Sequence, residues 1–133
     1  MPLPEPSARV DEVAYRVIGA AIEVHRQLGP GLDVSAYHNA LLHELQLQGM
    51  AVEARVPIAV EYKGHVVGEL LLDLVVEGEL IVELKAVERL EELHRAALIA
   101  HLQATRLELG LLINFNVALL KDGLRRVVRC KPN

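Results

Sequence analysis

The sequence predicts an α/β fold: a single-domain α-α-β-β-β-α-β sandwich around a mixed four- to five-stranded sheet. Two observations predict it. Apolar residues recur at helical spacing in two N-terminal segments and again after residue 88. Short aliphatic runs bounded by Gly-containing turns fill the stretches between and after them.

The first helix runs from about Ala8 to Leu28, with Val13, Val17, Ala20, Ala21, Val24 and Leu28 on one side. Gly29-Pro30-Gly31 ends it, because Pro cannot continue a helix and Gly accepts left-handed geometry. The second helix covers Asp33 to Gln48 and turns Tyr37, Leu41, Leu42 and Leu45 inward. Asp33 or Ser35 is its cap and Gly49 its stop.

Three strands follow, Val52–Tyr62, His65–Val76 and Leu80–Ala86, with Pro57 marking an edge or a bulge in the first. Turns at Lys63-Gly64 and Glu77-Gly78-Glu79 make them an antiparallel meander. Helical spacing returns from Glu88 to Thr105, and Glu108–Phe115 reads as a buried strand parallel to the third through a right-handed crossover. Arg125–Arg129 is a short terminal edge strand. Residues 1–8 are expected to form a flexible tail and residues 9–133 the domain.

At 133 residues, 52% apolar and 24% charged, the chain can bury one core, which must be aliphatic because aromatics are only 3%. No apolar run approaches the ~20 residues of a membrane span, and the Pro-rich start lacks a signal peptide's basic and apolar regions. A cytoplasmic protein with no membrane partner is expected. The single Cys130 excludes an intramolecular disulfide and a Cys-based zinc site. A net charge of −4 argues against a nucleic-acid-coating surface. Locally, however, Lys121, Arg125, Arg126, Arg129 and Lys131 face a single acid, Asp122. That cluster is either a phosphate contact or a solvated basic tail.

The chemistry-bearing feature is Asp73 in Leu70–Val76, followed by Glu83 and Lys85 in Leu80–Ala86. An unpaired charge inside a buried aliphatic strand costs several kcal/mol or is neutralised. Alternation puts Glu83 and Lys85 on one face, opposite Val82 and Leu84. A two-residue turn would set Asp73 on the other face, whereas an odd-length loop or a bulge would bring all three groups together. Converged, the carboxylates could share Mg²⁺ or Mn²⁺ beside a lysine able to act on water or phosphate. The alternative is a cross-strand charge cluster that Lys85 neutralises.

Three blocks extend the pattern: Ile18-Gly-Ala-Ala-Ile-Glu-Val-His-Arg-Gln-Leu-Gly-Pro-Gly31, Ile81-Val-Glu-Leu-Lys-Ala-Val87 and Gly110-Leu-Leu-Ile-Asn-Phe-Asn116. With them the chain resembles the PD-(D/E)XK nuclease superfamily, and within it the GxxExxY family, over about residues 12 to 129. The resemblance implies a restriction-endonuclease-like core and Mg²⁺ or Mn²⁺ held by Asp73 and Glu83, with Lys85 assisting catalysis. It also implies an extra acid on the first helix, for which Glu23 is the candidate; a solvated or ion-paired Glu23 is the alternative. Two positions depart from the family pattern. Val34 stands at the name motif's glutamate, with Asp33 beside it, and Ala97 stands where a glutamine is usual. His94 and His101 flank Ala97 on roughly the same helix face.

The remaining candidates have structural readings. His25 is a packing or capping residue, Tyr37 a core residue whose hydroxyl could reach the sheet face, and Asn114 and Asn116 satisfy turn backbone. The expected function is metal-dependent hydrolysis of nucleic-acid phosphodiesters, with Lys121, Arg125, Arg126 and Arg129 as nucleic-acid contacts. The alternative is a nuclease-fold module binding nucleic acid or a protein without cleavage. Exposed edge strands in a small domain favour a homodimer.

Overall fold

Connection lengths dictate the sheet. A computed structural model describes residues 6–129, so Cys130 and Lys131 lie outside the described residues. Its elements are α1 (Ala8–Leu28), α2 (Val34–Leu47), β1 (Val52–Tyr62), β2 (His65–Val76), β3 (Leu80–Lys85), α3 (Glu92–Thr105), β4 (Leu109–Asn114) and β5 (Leu124–Val128). A single 3-10 turn, Leu120–Gly123, precedes β5. The strands lie in chain order, β1-β2-β3-β4-β5. Tight turns leave β1, β2 and β3 antiparallel, and α3 returns the chain so that β4 runs parallel to β3. β5 closes the far edge antiparallel to β4. This is the expected α/β sandwich with five strands.

The two faces carry separate cores. Val17, Ala20, Leu41 and Leu45 of α1 and α2 meet Val82, Leu84, Leu111 and Ile113. Leu98 and Leu102 of α3 meet Leu72, Ile81 and Leu112 on the other face. Each fully buried Leu or Ile contributes about 1.5–3 kcal/mol. At Gly110 on β4, an added Cβ would stand 2.8 Å from Leu98 Cδ1, so the glycine is what lets α3 lie this close to the sheet.

Several boundaries move, each for a local reason. α3 starts at Glu92 rather than Glu88, because the Glu91 N–H donates to His94 Nδ1 at 2.9 Å and sets the helix start there. α1 begins at Ala8 with Ser7 as its N-cap. Ser7 Oγ accepts from Val10 N at 3.3 Å and caps α1, while Ser7 N donates to Glu108 at 3.1 Å. The Tyr37 hydroxyl does not reach the sheet face: it donates to Gly29 O at 2.5 Å and accepts from Leu32 N at 3.2 Å. Its ring stacks on Phe115, centroids 4.6 Å apart, so Tyr37 ties the loop between α1 and α2 to the core.

Candidate active site

The turn after β2 decides the geometry. Glu77 and Gly78 both take left-handed backbone, and Val76 pairs with Leu80 across the Glu77-Gly78-Glu79 loop. The loop is therefore odd in length. Val75 pairs with Ile81 and Leu74 with Val82, and the same register one residue on sets Asp73 beside Glu83. There the regular ladder stops and side chains replace it. Asp73 N–H donates to Glu83 Oε2 at 3.4 Å, and Leu84 N–H donates to Asp73 Oδ2 at 2.8 Å.

The ladder on the other side of Asp73 breaks as well. Ala54 pairs with Leu74 and Val56 with Leu72, yet Arg55, with φ +53°, does not pair with Asp73. Side-chain alternation slips at this point. Leu74 and Val76 join the α1–α2 core, whereas Leu72 and Val75 both join the α3 core. Asp73 thus sits at a distortion shared by both of its neighbouring strands.

Glu83 is only 6% exposed. Burial is the main reason its pKa is pushed above the usual carboxylate value, and the adjacent Asp73 charge adds to the rise. His101 on α3 works against it. Its Nδ1 lies 2.6 Å from Glu83 Oε1, and since an ionised carboxylate only accepts, the ring donates. Lys85, half-buried at the end of β3, opens onto a cavity of about 680 Å³ shared with Asp33, Ser35, His38, Arg55 and Asp73. Glu83 does not line that cavity.

Two polar side chains brace this corner. His38 on α2 is buried, and its Nε2–H donates to the Asp73 carbonyl at 3.1 Å. Nδ1 is then an acceptor with no donor among the described residues. Asn114, at the end of β4, accepts from Val87 N at 3.0 Å through Oδ1 and donates to Val87 O at 2.9 Å through Nδ2. Phe115 N–H donates to Lys85 O at 2.9 Å, so the segment leaving Lys85 is pinned to β4.

A family model of the PD-(D/E)XK nuclease superfamily matches residues 11–127. The chain belongs to this superfamily. Neither the curated proteins nor the solved structures yield a match.

Nucleases of this superfamily are generally divalent-metal dependent, and the donor set here fits that requirement. Asp73 and Glu83 offer hard carboxylate oxygens from adjacent strands, and Mg²⁺ is commonly held by one or two carboxylates while it keeps waters. Among the described residues, no group of three or more His, Cys, Asp or Glu is placed to hold a metal ion.

The other anticipated residues lie elsewhere or are already engaged. Glu23 accepts from Arg26 at 2.7 Å and Gln27 at 3.0 Å, bonds that hold its carboxyl below the usual value, and it does not line the cavity. Arg126 pairs with Asp11, Arg129 donates to Leu107 O at 3.0 Å, and Arg125 donates to the carbonyls of Asp122 and Leu124. Lys121 lines a separate apolar hollow with Ile22 and His25. Of the α3 histidines, His94 is used at the helix start and His101 reaches Glu83. Asp33 lines the cavity beside Val34, but its carboxylate accepts from Ser35 N and Oγ, which lowers its pKa. Ala97 is exposed on α3. His25 packs as expected, with Nε2 donating to Val117 O at 2.8 Å.

The sequence reading overlooked His38 and Arg55. A histidine one residue after the Tyr37 anchor offered a weak signal for the first. Nothing in the sequence marked the second.

Proposed function

We propose that this protein is a metal-dependent nuclease that hydrolyses phosphodiester bonds of nucleic acid, in the GxxExxY branch of its superfamily. One observation carries the reading: the three-residue turn sets Asp73 beside the buried Glu83, and Asp73 lines the cavity that Lys85 also lines. Burying two carboxylates side by side is unfavourable unless a cation offsets them.

Asp73 and Glu83 hold the cation through their carboxylate oxygens. When bound, Mg²⁺ or Mn²⁺ supplies Lewis-acid polarisation and charge neutralisation at the phosphate. Lys85 orients the attacking water and stabilises charge developing on the phosphoryl oxygens. His101 fixes the Glu83 carboxylate by donating to Oε1. His38 holds the Asp73 carbonyl, Phe115 N–H holds the Lys85 carbonyl, and Asn114 holds the Val87 backbone just beyond it.

A second reading, a binding module without cleavage, is favoured by Val34 and Ala97 and by the pairing of Glu23 with Arg26. Incubation of wild type and Asp73→Ala with DNA and RNA in Mn²⁺ separates the two. Cleavage by wild type alone supports the nuclease. Cleavage persisting in the variant sinks the metal assignment, and no cleavage with no Mn²⁺ heat in calorimetry supports the module. A homodimer belongs to the same proposal, built on the exposed Tyr62, Val66, Val67 and Leu71 of the β1–β2 hairpin, and light scattering tests it.

A further inference from the structure

Four non-glycine residues have positive φ among the described residues: Arg55, Lys63, Glu77 and Arg106. Three of them answer to topology. Lys63 and Glu77 make the turns that join β1 to β2 and β2 to β3, and Arg106 is the left-handed cap of α3. Arg55 alone lies within a strand, where a left-handed arginine is strained and removes a rung from the ladder. The rung it removes is the one facing Asp73.

Its side chain is exposed, lines the cavity with Asp73 and Lys85, and makes no hydrogen bond or ion pair among the described residues. Most other arginines at the chain's surface have found partners: Arg9 with Glu79, Arg26 with Glu23, Arg95 with Glu92 and Arg126 with Asp11. Lys85 shares the cavity, and its ammonium likewise bonds nothing among the described residues. The cavity therefore presents two uncommitted cations beside a carboxylate, with a distorted strand supplying one of them.

We infer that Arg55 is a phosphate-binding residue, its guanidinium gripping a backbone phosphate of the nucleic-acid strand that lies across the Asp73–Glu83 pair. A planar fork of N–H donors matches the oxygens of a phosphodiester, which a lone ammonium cannot do. The inference deepens the nuclease reading and rests on it for the substrate class, but binding is measurable without cleavage.

The experiment is fluorescence anisotropy of labelled DNA and RNA oligonucleotides in EDTA across a salt series. It compares wild type, Arg55→Gly and Arg55→Lys. Gly suits φ +53°, so the Gly variant should melt at or above the wild-type temperature and report on the side chain alone. The expected result is a roughly tenfold loss of affinity in Arg55→Gly, regardless of sequence, with the salt slope reduced by about 1. Arg55→Lys should recover part of the affinity. Wild-type affinity and slope in Arg55→Gly would overturn the inference while leaving an Asp73-dependent nuclease intact. Binding without cleavage, lost in Arg55→Gly, would sink the nuclease and keep Arg55. A wild type that binds no oligonucleotide would overturn both.

Discussion

His101 Nδ1 stands 2.6 Å from Glu83 Oε1, a contact from α3 onto the face of β3 that carries the acid. Ile81 beneath it belongs to the α3 core, and Gly110 allows the helix close enough for the bond to form. An imidazole here steers one carboxylate oxygen and leaves the other beside Asp73. His101→Ala should weaken Mn²⁺ binding about tenfold, the usual cost of losing a partner that orients a metal ligand. His101→Asn, which keeps a donor, should recover part of it. Isothermal calorimetry of the three proteins reads both effects.

Glu83 makes the metal-free protein sensitive to pH. Its folded pKa is raised above the ordinary 4.5, so the folded state binds the proton more tightly than the unfolded chain does. The stabilisation this gives is fully present below about pH 4.5 and is lost as pH rises through the folded value. In EDTA, Glu83→Gln should flatten that decline. It should also raise Tm near pH 7 relative to wild type. Thermal melts from pH 4 to about 8 test the sign, and a Tm lower than wild type at neutral pH would contradict it.

Much of this architecture was legible in the sequence, and what was not has physical causes. β1 and β2 have the expected ends because Lys63-Gly64 and the Glu77–Glu79 loop interrupt the strand-forming runs. Whether Asp73 and Glu83 shared a face hinged on the parity of that loop, and Gly78 permits either parity. His94 and His101 were equivalent by helix spacing. The bond from Glu91 N to His94 Nδ1 starts α3 late and leaves only His101 for Glu83. The basic run near the C-terminus read equally as a phosphate contact or a solvated tail, and the ion pair that engages Arg126 was hidden because Asp11 lies 115 residues away. Arg55 left no trace, since a left-handed residue inside a strand has no local signature unless it is Gly, Asn or Asp.

Tyr37→Phe separates fold from chemistry on the α2 side. The ring and its stack on Phe115 remain, but the bonds to Gly29 O and Leu32 N are lost. Losing hydrogen bonds to these part-buried groups costs about 0.5–1.5 kcal/mol each. Urea unfolding should show that loss, while Mn²⁺ affinity stays at the wild-type value because Asp73 and Glu83 are untouched.

Gly110→Ala tests the spacing between α3 and β4. The new methyl would stand 2.8 Å from Leu98 Cδ1, and relieving the overlap pushes α3 outward or forces Leu98 off its rotamer. Overpacking of this kind costs about 1–3 kcal/mol. Because His101 rides on α3, Mn²⁺ affinity should fall as well. Leu98→Ala in the same chain makes room for the methyl, so the double variant should be more stable than the two single losses added together. Strict additivity in denaturant unfolding would place the strain elsewhere.

Asn114→Ala should uncouple Lys85 from the carboxylates without disturbing them. Asn114 is 1% exposed, and its amide accepts from Val87 N and Asn116 N while donating to Val87 O. Truncation removes the partner of these part-buried groups at a cost of about 0.5–1.5 kcal/mol per bond. It also frees Ala86 and Val87, the two residues that follow Lys85. Asp73 and Glu83 keep their own bonds, to Leu84 N and His101, so Mn²⁺ affinity should hold within about twofold. An effect on the transition state alone lowers kcat and kcat/KM together. If Lys85 assists the water, a loosened Lys85 should therefore slow turnover by about 10²-fold, the order of a mispositioned catalytic group. Asn114→Asp, which retains the acceptor for Val87 N, should fall between the two. A variant that lost metal and activity in parallel would mean that Asn114 supports the carboxylates rather than the lysine.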